Sequence, residues 1–174
     1  GSEMCIRDSY TSEKVKSKKK GKIFADEVLS YITFILLLIV TIAEIFTPYL
    51  VHLIAPGFVS DDLKFNLAIE FTRITFPFLL FVSLASFFSA ILNSNNKFAA
   101  AAAAPIFLNI ILIVSILFSY FENLDFAKNL SYGVTVAGIV QLIFLIFVSY
   151  KFYKPKIKFD LKTSKKVNFF FKRL

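Results

Sequence analysis

Four side chains stand where an apolar sequence rarely carries them: Glu44, Glu70, Arg73 and Asn93. Each lies within, or at the edge of, a run of Leu, Ile, Phe and Val. A central acidic residue in such a run costs about 2.5–3.5 kcal/mol on insertion scales, against about 0.3–0.6 returned by each large apolar residue, so it is carried at a cost. Its functional uses are a proton site or the lining of a polar cavity. Glu70 and Arg73 are three apart on one helical face, where opposite charges can pair, and Glu44 is a second candidate partner for Arg73. Glu44 also fits a plainer role, a hydrogen bond between helices or a place near the outer interface, because Pro48 and His52 follow it closely.

Other chemistries are poorly served. Cys5 and His52 are the single cysteine and histidine, which rules out an internal disulfide framework and argues against a metal site or a His-assisted triad. There is no phosphate loop, no paired-carboxylate site and no nucleophile beside a base. These residues point to no enzymatic site and to no metal site.

The elements that must position these residues are membrane spans. The chain is 57% hydrophobic with a mean hydropathy of +0.70, yet carries a net charge of +8. Its apolar residues fall in runs longer than the ~18 that signal a span. The expected fold is all-α, a polytopic transmembrane bundle of four spans at about 28–53, 67–92, 98–121 and 130–150, together a region of 28–153. Residues 1–10 read as a non-native or disordered segment and 11–27 as a basic cytoplasmic segment. Residues 154–174 read as a basic linker and the start of a further helix.

The second span carries most detail. Pro77 lacks an N–H, so it is expected to kink the helix and leave a carbonyl for a neighbour to satisfy. Beyond it Ser83, Ala85, Ser86, Ser89 and Ala90 recur at helical spacing, as small residues do where helices approach closely. Asn109 in the third span and Gln141 in the fourth read as buried amides between helices, with Gly133 and Gly138 as close-approach positions. The run Ala99–Ala104 suits either close packing or a sliding surface.

Charge orients the spans. Glu13–Lys22 holds six lysines against one glutamate, and Lys151–Leu174 holds nine Lys and Arg against Asp160. The two loops between spans one and two, and three and four, are each acidic by one charge. Basic segments stay cytoplasmic, so both ends and the Asn93–Lys97 turn are expected inside. The lysines also fit contact with anionic lipid head groups. Nucleic-acid binding is a poor fit for a basic patch that follows a membrane span.

Several linked stretches carry a resemblance: Ala55-Pro56-Gly57-Phe58, Thr72 to Pro77, Ser83 to Ser86, Ala90 to Ser94, Phe98, Ala104-Pro105 through Leu108-Asn109, and Val134 to Gly138 followed by Gln141-Leu142. In order and spacing they resemble the third to sixth membrane helices of the MurJ/MviN family of lipid II flippases, over about Lys14 to Leu174. Ala101 departs from the proline usual in that family. The resemblance implies a fragment of the N-terminal lobe of a larger transporter in the bacterial inner membrane. It also implies translocation of a lipid-linked peptidoglycan precursor by alternating access, without a bound cofactor. The implied partners are membrane lipid, lipid II and the remainder of the same transporter chain. The family's principal cavity arginines lie on helices outside this stretch, so Glu44, Glu70, Arg73 and Asn93 are candidates for polar roles in the lobe wall. Two alternatives stand beside this reading. One is another transporter of the superfamily, a polysaccharide-lipid flippase or a drug/cation antiporter; the other is a non-transporting scaffold, in which the polar residues would face one another and leave no cavity.

Overall fold

The computed structural model describes residues 2–157, with side chains from Met4 onward. Most of the expected linker and further helix at 154–174 therefore lies outside the described residues. The described residues form seven α-helices: α1 (Ser2–Lys16), α2 (Lys18–Ile45), α3 (Thr47–Ile54), α4 (Asp62–Thr75), α5 (Phe78–Asn93), α6 (Phe98–Phe121) and α7 (Phe126–Ser149), with a short 3₁₀ turn at Pro56–Phe58. Among the described residues, four helical stretches are long and apolar enough to cross a membrane: α2, the α4–α5 pair, α6 and α7.

Prolines and threonines together explain the breaks. The first apolar stretch, expected to run straight to about residue 53, divides at Phe46. Pro48 cannot donate to the carbonyl four residues back, that of Glu44. The Thr47 hydroxyl donates instead to the Ala43 and Glu44 carbonyls, at 2.8 and 2.9 Å. At Pro77 the break falls between α4 and α5. The carbonyl four residues before Pro77 is that of Arg73; next to it, at the same break, the Ile74 carbonyl accepts from the Thr135 hydroxyl of α7. α6, by contrast, runs through Pro105 without a break.

Polar residues set the remaining helix ends. Ser17 caps α2, and Asp61 and Asp125 cap α4 and α7 by accepting from the backbone N–H of Lys64 and Lys128, at 3.2 and 3.0 Å. Asn96 and Asn123 adopt left-handed backbone angles, φ 59° and 51°. Both follow helices whose C-termini close by a bond spanning five residues, Lys97 N–H to Leu92 C=O and Leu124 N–H to Ser119 C=O. Asparagine tolerates that conformation at little cost.

Residues 2–10, part of the segment 1–10 expected to be non-native or disordered, lie in α1, where Ile6 and Tyr10 are buried. The helix folds back on α2 and packs across the end of α5. Gly21 permits the corner: a Cβ there would sit 3.0 Å from the Lys14 backbone Cα. The buried cluster joins Ile6 and Tyr10 to Phe24, Val28 and Leu29 of α2, Phe87 to Leu92 of α5, Ala104 of α6 and Leu145 of α7. It lies where α1, the start of α2 and the ends of α5 and α7 meet. Leu37, Leu38, Ile39, Ile42 and Ile45, further along α2, stay exposed, an apolar face suited to lipid or to other membrane helices.

Candidate functional site: a neutral polar groove beside α5

Small side chains on α5 and α6 leave space between them. Ala85, Ser86, Ser89 and Asn93 of α5, Ala101 and Pro105 of α6, and Gln141 of α7 line an open groove of about 490 Å³. Ser89 and Gln141 are buried, while Ser86 and Asn93 are half-buried. The polar lining is made of hydroxyls and amides, which donate and accept hydrogen bonds without charge. Such a wall suits the hydroxyl- and amide-rich part of an amphiphile better than its phosphates. The small residues of α5 expected to pack helices thus divide: Ala90 is buried in the core away from the groove, whereas Ala85, Ser86 and Ser89 line it. Ser83 is half-buried.

The glycines lie at the contacts of α7. A Cβ on Gly138 would come within 2.7 Å of the Phe78 ring and 3.1 Å of the Phe81 Cβ, on α5. A Cβ on Gly133 would meet the Ser115 side chain of α6. Nearby, the Asn129 amide donates to the Ser115 carbonyl (3.2 Å) and the Ser119 hydroxyl (2.8 Å), tying α7 to α6. Asn109, expected as a buried amide between helices, is exposed in this chain. α6 turns Phe107 toward α7, where its ring lies 4.7 Å from that of Phe144, and two residues further along a helix the side chain points about 200° away.

The charged candidates do not gather in the groove. Glu70 makes its ion pair with Lys128 of α7 at 2.6 Å rather than with Arg73. The sequence separation of three is permissive for Glu70–Arg73, but α7 brings a lysine closer. Arg73 is exposed and makes no ion pair or hydrogen bond among the described residues, although its charge acts on Glu44. The Glu44 Oε1 atom is buried without a hydrogen-bond partner among the described residues. Glu44 and Arg73 therefore remain spare polar groups on the α2–α4 side, apart from the groove that holds Asn93.

One polar contact has no forewarning in the sequence pattern. Asp26, buried in α2, accepts from the Tyr153 hydroxyl at 2.6 Å and from the Lys156 backbone N–H at 3.0 Å, both at Oδ1. Tyr153 is buried too, against Phe87 and Phe88. Burial pushes its phenol well above the usual range, and the Asp26 carboxylate pushes in the same direction. The segment leaving the last span is thereby pinned to the start of the first. Asp26 sits beside the lysine run rather than deep in an apolar one, so hydropathy does not single it out.

Comparison with known proteins follows the same lines. The family described as lipid II flippase MurJ matches residues 8–174. The chain is 37% identical over 138 residues to "Probable lipid II flippase MurJ" of Rickettsia prowazekii, covering 78% of this chain and 27% of that protein. It is 42% identical over 126 residues to the protein of the same name from Rhizobium tropici, covering 70% and 24%. With "Lipid II flippase MurJ" of Burkholderia cenocepacia the identity is 34% over 95 residues, covering 55% and 18%. The chain spans about a quarter of the length of the first relatives, at 27%, 23% and 24%.

Proposed function

Because this chain belongs to the MurJ family of lipid II flippases, we propose that it forms part of a membrane transporter that moves lipid II between leaflets. In this reading α2 to α7 build a wall of the N-terminal lobe, the rest of the transporter chain covers the exposed apolar faces, and the protein is multi-pass in the bacterial inner membrane. The carrying observation is the neutral polar groove between α5, α6 and α7. A scaffold would turn Ser86, Ser89, Asn93 and Gln141 toward one another. Their opening onto shared space supports a path for a polar head group instead. The work is that of a transporter and involves no bond making: neutral donors and acceptors replace water around the cargo while apolar surfaces stay in lipid.

Orientation belongs to the same proposal. Both ends of the stretch and the Asn93–Lys97 turn lie on the cytoplasmic side, by the excess of lysine there. Single cysteines placed at Lys19 and at Ser60 in a Cys5→Ser background should label from opposite sides with a membrane-impermeant maleimide.

The direct test uses the full-length transporter in liposomes with fluorescent lipid II, read by a membrane-impermeant quencher. Ser86→Leu with Ser89→Leu fills the groove and should slow exchange on the order of tenfold, the scale of about 1.4 kcal/mol. Unchanged exchange by a folded double variant would remove the groove from the path.

A further inference from the structure

The two basic flanks, more than a hundred residues apart in sequence, meet in space. Lys14 of α1, Lys18 and Lys22 of α2, and Lys151 and Lys154 beyond α7 line one pocket of about 450 Å³. The remaining wall is Asn95 from the α5–α6 turn and the rings of Tyr10, Tyr150, Phe152 and Tyr153, so the lining holds no carboxylate. Asp26, the nearby acid, spends Oδ1 on Tyr153 and the Lys156 backbone.

Two of these ammonium groups make neutral contacts. Lys14 Nζ donates to Asn95 Oδ1 at 2.5 Å and lies 5.9 Å from the Tyr10 ring centre; Lys154 Nζ lies 5.3 Å from that of Tyr150. Among the described residues, none of the ion pairs involves Lys14, Lys18, Lys22, Lys151 or Lys154. Converging like charges repel one another, and an anion between them removes that repulsion. The volume far exceeds the ~30 Å³ share of one water, so it admits a head group rather than a bare halide.

We propose that this pocket binds a phosphate-bearing anion, and that its ordinary occupant is the phosphate of an anionic membrane phospholipid. The pocket lies at the helix ends, where a bilayer has its head groups. A ring of tyrosines beside lysines is the composition that sits at that depth. The pocket is separate from the α5–α6–α7 groove, and its occupancy is a property of the resting protein, independent of transport.

Native mass spectrometry of the intact protein, released from nanodiscs of phosphatidylglycerol and phosphatidylcholine, provides the test. The wild type should retain one phosphatidylglycerol. Each lysine near an anionic head group contributes about fivefold, so Lys18→Gln/Lys22→Gln/Lys154→Gln should lower retention on the order of a hundredfold. Lys19→Gln/Lys20→Gln/Lys156→Gln removes the same charge from side chains outside the lining and should change retention less than about threefold, screening having weakened distant charges. The three arginine substitutions at the lining positions should keep the lipid, which separates charge from folding. Release of the lipid by added inorganic pyrophosphate identifies the phosphate as the recognised group. Pyrophosphate held by a protein that retains no lipid assigns the pocket to a soluble phosphate. Equal loss in the two glutamine triples, or no phosphate-bearing anion held by the wild type, overturns the proposal.

Discussion

Asp26 is the most exacting place to test the packing of the end where α1, α2, α5 and α7 meet. Its side chain is buried, 4% exposed, as is Tyr153 at 3%. One carboxylate oxygen accepts two hydrogen bonds, from the Tyr153 hydroxyl and the Lys156 amide. Hydrogen bonds to a charged group are worth about 1.5–3 kcal/mol each, and a buried donor left without an acceptor costs about 1–3 kcal/mol. Asp26→Ala removes both bonds and strands the Tyr153 hydroxyl, so the Tyr153–Lys156 segment should lose about 3 kcal/mol of docking free energy. Tyr153→Phe removes one bond and leaves the other, costing about 2 kcal/mol. Asp26→Asn keeps an acceptor of the same shape and should cost about 1 kcal/mol. Limited trypsin cleavage after Lys156 in detergent (the Lys154–Pro155 bond resists trypsin) reads the open population when opening is faster than cleavage. Cleavage should therefore accelerate on the order of a hundredfold in Asp26→Ala, and least in Asp26→Asn. In a double-mutant cycle, Asp26→Ala with Tyr153→Phe should show a coupling of at least 1 kcal/mol, roughly the value of one such bond. A coupling near zero, or equal cleavage of Asp26→Asn and Asp26→Ala, would refute the hydrogen-bond account. The phenol supplies an independent check. Its pKa is raised in the folded protein, so its contribution is intact below the unfolded value of ~10 and is lost as pH rises above it. Cleavage should stay slow to about pH 10 and accelerate above it, and Tyr153→Phe should flatten that rise.

Other perturbations probe other contacts. Glu70→Lys or Lys128→Glu alone should weaken the α4–α7 contact and lower the melting temperature in detergent, and the double exchange should recover most of the loss; exchange of Glu70 with Arg73 should recover none of it, since Arg73 is not the partner. Gly138→Val drives a branched side chain into Phe78 and Phe81 and should cost about 2 kcal/mol by overpacking, whereas Gly57→Ala, with open space around it, should be silent in the same thermal assay. Thr135→Val keeps the shape but withdraws the hydroxyl that serves the Ile74 carbonyl. It should cost about 1 kcal/mol, the usual scale of a hydrogen bond between membrane helices, measured by unfolding in mixed micelles.

Glu70 shows how far sequence reasoning reached. Its intramembrane position marks it as a residue needing a partner, and one was found, but the nearest opposite charge along the chain was the wrong choice. Spacing along a helix reports which residues share a face; it does not report which other helix brings a charge closer. Asn109 and the serines of α5 make the same point. Their types announce close approach or hydrogen bonding, yet only the positions of α6 and α7 decide that Asn109 is exposed and that Ser86 and Ser89 open onto a groove. The lysine runs were legible as charge, whereas their convergence on one pocket was not.

What the sequence determined by itself is local in origin. Runs of apolar residues specify bilayer-length helices, because every backbone polar group must be satisfied within the segment. Pro77 specifies a break in the second of those helices, whereas the apolar run across Pro48 reads as continuous and α6 passes Pro105 unbroken, so proline alone does not decide where a helix divides. Asn96 and Asn123 suit the left-handed residues that follow the ends of α5 and α6. The tertiary structure alone decided the pairings across the chain: Asp26 with Tyr153, Glu70 with Lys128, Thr135 with the Ile74 carbonyl. The physical reason is range. Helix formation and breaking depend on the next four residues, whereas hydrogen bonds and ion pairs act over about 3 Å between atoms whose separation along the chain carries no information about their separation in space.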